Sequence, residues 1–419
     1  MTCAGGRPPR TVLCCQLTGP HPRHSGVVIH SPEADRAAVG LLLLAFIVFV
    51  VLGMVDGSLG VAWPSMSAFF GRSLSDLGFL LVSGGAGYLT ASLFYGWIHG
   101  RLGTGTVLWV GTALLVGGVA SIAVTTVWQL LVLSPLLVGL GGGLVDTGMN
   151  AHAALAFDVR SMNLLHASFG VGATLGPVLI TLSLTSTGVW RAGYAVLAVL
   201  QVVVGVAIWV SRHRWQADTA VAEVISVPVR RRRRSLLLIL LFLLYTGVEF
   251  GAGQWAFTLL SEGRGLSTAV AGLWVSAYWG GLTLGRIGVG VVGHRWSAAR
   301  TLNGGVLIAL VGLAWLWADP AGWGAAGLPI TGLGLAPIFP TLVTLTPQRI
   351  GRDRSTHSIG YQLAAATIGG SAIPWIIGLV GERGGFQALA GSIFLVCLLL
   401  AIVLLVSERE ARVLSAGSA

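Results

Sequence analysis

The chain has 419 residues, 54% of them hydrophobic and only 10% charged, where an ordinary soluble domain carries about 25% charged residues. That balance excludes a soluble globular protein and indicates a polytopic membrane protein. All 25 basic residues are Arg and the net charge is +10; membrane topology accounts for this surplus better than a nucleic-acid partner does. The 61 glycines, in so apolar a chain, indicate close helix packing, because small residues let backbones approach where lipid supplies no hydrophobic drive. Cys3, Cys14, Cys15 and Cys397 show neither metal-ligand spacing nor a disulfide framework.

Residues 1–36, rich in Pro, Gly, Arg and His, lack the apolar run and cleavage site of a signal peptide and are expected to form a disordered cytosolic tail. A membrane crossing needs about 20 mainly apolar residues. The chain contains twelve such stretches: 38–60, 77–99, 104–124, 128–154, 163–185, 189–210, 235–260, 268–292, 298–318, 322–346, 356–380 and 387–406. The expected organisation is an N-terminal six-helix half (37–211), a central cytosolic Arg-rich loop (212–234), a C-terminal six-helix half (235–407) and a cytosolic tail (408–419). Basic loops stay in the cytoplasm, and with the N-terminus inside, the outer loops hold only Arg72, Arg191, Arg264 and Arg383. Both termini are therefore expected in the cytosol, with Arg230–Arg234 as a topology anchor. The halves repeat at a shift of about 193 residues: Asp56 corresponds to Glu249, Gly139-Leu-Gly141 to Gly332-Leu-Gly334, and Thr174-Leu-Gly176 to Thr367-Ile-Gly369. Two parallel six-helix halves around a midplane cavity form a transporter architecture.

A charged group at the centre of a membrane helix is costly and marks a candidate site. Asp56, flanked by Gly53, Gly57 and Gly60, can face a cavity. Asp146 and Asn150 are four apart and share a helix face, and a carboxylate there can take and release a proton as a cavity opens to either side. Asp56, Asp146 and Glu249 are the proton-coupling candidates. Asn163 and His166 lie three apart on the next span; the imidazole can relay protons, bind a hydroxylated solute, or merely link helices. Glu249, Gln254 and Trp255 combine carboxylate, carboxamide and indole, groups that suit a polyhydroxylated ligand, although Trp and Tyr also gather at membrane interfaces without one. The substrate-binding candidates are thus Asn150, Asn163, His166, Gln254, Trp255, Tyr278, Trp279, Tyr361 and Gln362. Arg286, always charged, must pair or snorkel, and is expected near the cytosolic end. There is no catalytic residue set, phosphate-binding loop, metal cluster or cofactor motif.

These residues resemble the major facilitator superfamily, and within it the branch of fucose:proton symporters. The segment Gly96-Trp-Ile-His-Gly100-Arg101-Leu-Gly103 partly matches the superfamily's loop after its second span, with Gly100 in place of the Asp and no Arg-Lys pair following. Asp146-Thr-Gly-Met-Asn150 is similar to the branch's Glu-Thr-Ala-Ala-Asn element. The resemblance implies that Asp146 handles proton and sugar with Asn150 beside it, and that Asp56 occupies the neighbourhood of the first-span Asp. The fold it implies is an all-α polytopic membrane protein of twelve transmembrane helices in two pseudo-symmetric halves, the major facilitator fold.

The expected function is secondary active transport of a small polar solute, a sugar or sugar-like molecule, coupled to protons by alternating access. A proton-driven exporter of drugs or metabolites on the same fold and a non-transporting membrane sensor stand as alternatives. The expected partners are a small-molecule substrate, protons and the lipid bilayer, with no nucleic acid and no obligate protein. The expected location is a bacterial plasma (inner) membrane.

Overall fold

The computed structural model describes residues 32–157, 159–215, 232–292, 295–350 and 352–416. One compact unit runs over Gly40–Ala419. Most of the expected N-terminal tail and most of the expected central loop lie outside the described residues. The helices are α1 Pro32–Phe70, α2 Leu77–Val124, α3 Trp128–Ala156, α4 Val159–Thr187, α5 Trp190–Ser211, α6 Arg232–Thr258, α7 Thr268–Val292, α8 Ala298–Ala318, α9 Gly327–Leu335, α10 Ile338–Ile350, α11 Arg352–Gly384 and α12 Phe386–Ala416. Among the described residues there is no strand.

Among the described residues ten helical segments are long and apolar enough to cross a membrane. One of them, Leu74–Val124, has 51 residues and would reach about 76 Å if straight, more than twice the roughly 30 Å of a hydrocarbon core. It is two crossings that fold back at Gly103, whose φ of 73° is open to glycine at no steric cost. The 25-residue α7, its hydropathy diluted by Ser276, Tyr278, Thr283 and Arg286, adds another. α9 and α10 are one crossing broken between Leu335 and Ile338, where Pro337 supplies no backbone N–H. Among the described residues the total is twelve, six before and six after positions 216–231.

Several expected boundaries shift. α1 begins at Pro32, with Pro at the first helical position, so the helix starts inside the expected tail. It continues past Pro64 to Phe70 because Val61, Ala62 and Trp63 are buried and the Trp63 indole donates to the Leu74 carbonyl at 3.1 Å. α6 takes in Arg232–Arg234, and α12 runs on to Ala416 rather than ending at 407. Ion pairs hold that extra length: Glu408 meets Arg349 at 2.5 Å and Glu410 meets Arg233 at 2.8 Å.

The sequence repeat is a packing repeat. In the first half the helix carrying Gly139 and Gly141 is wedged between two neighbours. A methyl group on Gly139 would lie 1.9 Å from the Gly84 carbonyl oxygen, and one on Gly141 would lie 2.4 Å from that of Gly111. In the second half Gly332 abuts Tyr278 and Gly334 abuts Gly305 and Ala309 in the same way, the shift being about 193 to 194 residues.

The close approaches between the halves that glycines mark run from one end of the bundle to about its middle. Gly60 of α1 meets Gln254 and Gly253 of α6; Gly78 and Gly85 of α2 meet Trp375 and Ser371 of α11; Gly170 and Gly272 mark the α4–α7 contact, against Thr283 and Thr181. These contacts close the end that carries Arg72, Arg191, Arg264 and Arg383. Towards the arginine-rich end they cease: Leu164, His166, Ile287, Tyr361 and Leu363 are exposed. The gap between the halves therefore opens towards the arginine-rich end.

Candidate functional site

The polar side chains that the repeat carries into mid-membrane form two clusters, one on each half. Gly143 brings α3 against the backbone of Tyr88, and three residues later Asp146 accepts a hydrogen bond from the Tyr88 hydroxyl at 2.6 Å. The Asn150 amide, one turn on, donates to the other carboxylate oxygen of Asp146 at 2.9 Å and to its backbone carbonyl at 2.9 Å. Both carboxylate oxygens of Asp146 are thus engaged from within its own half. Asp56 interacts electrostatically with Asp146 and with Tyr194. It is half-buried and makes no hydrogen bond or ion pair with a described residue.

His166 is exposed to the gap, its ring edge-on to Phe49 with centroids 6.0 Å apart. It interacts electrostatically with Asp146 and with Arg286 of the other half. The helix register explains this reach. Gly170 of α4 abuts Thr283 of α7; one turn further towards the arginine-rich end, the antiparallel pair sets His166 opposite Arg286.

In the second cluster the Arg286 guanidinium donates to the Glu249 carboxylate at 3.0 Å and lies 3.5 Å from the Tyr245 hydroxyl. The Tyr278 hydroxyl donates to the Glu249 backbone carbonyl at 2.7 Å. Of the two expected outcomes, pairing or snorkelling, Arg286 therefore pairs: it lies six residues before the end of α7 at Val292, and Glu249 supplies the carboxylate that a guanidinium needs where water is scarce.

The remaining candidates separate. Gln254 is buried where α6 meets Gly60, and its Oε1 has no partner among the described residues. Trp279 is also buried, its indole N–H without a partner among the described residues, edge-on to Tyr278 at 5.1 Å and to Phe250 at 6.2 Å. Trp255 does not line the gap: it is 0% exposed, packs on Gly378 and donates its N–H to the Pro374 carbonyl at 2.8 Å. Gln362 is likewise buried and accepts from the Thr346 hydroxyl at 3.0 Å, while Tyr361 is exposed. The Asn163 side chain lies outside the described residues.

Four participants escaped the sequence reading: Tyr88, Tyr194, Tyr245 and, as a site member, Arg286. Tyr245 had a signal, since it lies four residues before Glu249 and shares its face. Tyr88 and Tyr194 gave none, because an isolated Tyr in an apolar helix is ordinary. Among the described residues no three His, Cys, Asp or Glu side chains are arranged to hold a metal ion.

The Major Facilitator Superfamily profile matches residues 45–374. The glucose/mannose transporter GlcP of Bacillus subtilis (strain 168) is 23% identical over 356 residues, covering 81% of this chain and 87% of its own length. The solved nucleoside transporter NupG superposes with a TM-score of 0.72 at 12% identity, covering 89% of this chain and 98% of that one. FucP, solved in the outward conformation, superposes with a TM-score of 0.60 at 15% identity, covering 89% and 99%. At these identities the solved structures speak for the fold alone.

Proposed function

The chain belongs to the major facilitator superfamily and is a transporter rather than an enzyme, and from that premise we propose that it carries a neutral sugar or sugar-like solute, coupled to protons, by alternating access. The observation that carries this reading is the pair of polar clusters facing each other across the gap. Asp146 with Tyr88 and Asn150 stands on one half, Glu249 with Arg286 and Tyr245 on the other, and His166 lies between them. Hydroxyl-rich ligands need paired acceptors and donors, and these side chains offer both. A large lipophilic solute would strand them, at about 1 to 3 kcal/mol for each buried polar group. The likeness to a glucose/mannose transporter supports the same solute class.

Asp56, Asp146 and Glu249 are the proposed proton carriers. Two acids within electrostatic reach of each other, Asp146 also within reach of the His166 imidazole, form a site whose protonation depends on the charge state of its neighbours. A change in solvent access on alternating opening then becomes a change in proton occupancy. The proposed orientation places the arginine-rich end, both termini and the loop at 212–234 in the cytosol of a bacterial cell, so the gap between the halves faces inward. Gln216→Cys, in a chain whose own cysteines are replaced by Ser, should resist an impermeant thiol reagent added outside intact cells; labelling from outside would overturn the orientation.

Uptake of a labelled sugar panel into sealed vesicles, with and without an inward proton gradient, tests the function. Accumulation that requires the gradient and collapses with a protonophore is expected. Transport driven instead by sodium, or extrusion of lipophilic cations with no sugar uptake, would overturn the coupling or the solute class respectively.

A further inference from the structure

We infer that Arg286 is the specificity-determining donor of the C-terminal half: it holds an oxygen of a neutral polyhydroxylated solute while Asp56, on the N-terminal half, accepts from another hydroxyl of the same molecule. The inference rests on the proposed solute class and assigns the residues that select it.

A guanidinium has five N–H donors. Among the described residues only Nη2 finds partners, Glu249 and Tyr245. The Nη1 and Nε atoms make no hydrogen bond with a described residue, and neither is among the enclosed polar atoms that lack one. The side chain is 25% exposed, against 8% for its partner Glu249. The exposed side faces the gap, since the Gly170–Thr283 contact sets Arg286 opposite His166. On the facing half the acceptors are unequal. The Asp146 oxygens are occupied by Tyr88 and Asn150, whereas Asp56 is half-buried with no described partner.

Among the described residues one half therefore presents free donors and the other a free acceptor. A hydroxyl group both donates and accepts, so a polyol satisfies the two together without adding charge. A cationic solute would meet Arg286, and an anionic one would meet Asp56 with Asp146 behind it; each brings like charges together in a low-dielectric space. A neutral solute spanning the gap also ties the halves to one another, as closure around it requires.

The test is equilibrium binding of a labelled hexose and its monodeoxy analogues to the purified full chain. Wild type is compared with Arg286→Lys and with the doubly neutral Glu249→Gln/Arg286→Gln. Lys keeps a cation opposite Glu249 but not the planar fork, so thermal unfolding should stay close to wild type while hexose affinity falls about tenfold or more. The deoxy analogue that wild type rejects most strongly should no longer be distinguished from the parent sugar by either variant. The double variant leaves no unpaired charge behind, so it reports even where a single change unfolds the chain. Variants with wild-type affinity and wild-type analogue discrimination would overturn this inference alone. Wild type that binds no neutral sugar would overturn it together with the proposed function.

Discussion

The two halves are built on one scaffold and loaded differently. In each, the helix bearing the Gly-x-Gly pair is clamped between the same two neighbours at equivalent positions, so the backbone arrangement is duplicated. The chemistry is not. Asp146 and Asn150 correspond to Phe339 and Val343, and Phe339 packs edge-on to Phe242 at 5.2 Å and against Tyr245 at 5.9 Å. The second half puts its charge on α7 instead: Arg286 falls where the first half has Ser92 or Leu93. Only the acids Asp56 and Glu249 are common to both. Asp56 has no hydrogen-bond or ion-pair partner among the described residues, and Glu249 is neutralised by a guanidinium 3.0 Å away. Duplication thus fixed where helices touch and left free which helix carries the polar load.

The largest effects should come from breaking what the halves share. Gly139→Val and Gly332→Val each drive a side chain into a neighbouring backbone, where an added Cβ would lie 1.9 Å and 2.2 Å from a carbonyl oxygen. The cost should exceed the about 1 to 3 kcal/mol of ordinary overpacking, because helices rather than side chains must move. Both variants should lose monodisperse protein in size-exclusion chromatography, and folding of one but not the other would show that the packing repeat is unequal.

The next change separates the halves by function. Asp146→Asn keeps the size and most of the hydrogen bonding but cannot titrate, so proton-driven accumulation should vanish while exchange of labelled for unlabelled solute persists. Phe339→Leu at the equivalent position should leave the proton requirement intact. Accumulation that survives in Asp146→Asn would move the coupling to Asp56 or Glu249.

A smaller effect is expected at the ion pair. Glu249→Gln leaves Arg286 without its counter-charge, and removing one partner of a buried pair costs about 3 to 5 kcal/mol. The partial exposure of Arg286 puts the expectation at the low end, read as a lowered thermal unfolding midpoint. The Asp56→Asn variant on the other half, with no ion-pair partner to strand among the described residues, should unfold close to wild type.

The smallest concerns Trp255. Trp255→Phe removes the 2.8 Å hydrogen bond to the Pro374 carbonyl and should cost about 1 to 3 kcal/mol of stability with no change in solute affinity. A fall in affinity at unchanged stability would mean that the indole reaches the solute in another conformation of the transport cycle.

Composition and hydropathy alone determined the membrane class, the twelve crossings and the two-fold repeat, because a bilayer imposes apolar length on every span and a duplicated backbone keeps its glycines wherever helices must approach. The same reasoning located Asp56, Asp146, Asn150 and Glu249, since a charge inside an apolar helix stands out whatever its neighbours. Tertiary structure alone decided the partners. It gave Asp146 to Tyr88 across 58 positions of sequence, Glu249 to Arg286 across 37, and Trp255 to the interior rather than to the gap. A helix has several faces and a sequence fixes only which residues share one. Which face meets another helix, and which is left to line the space between the halves, depends on the register at which distant helices lock together.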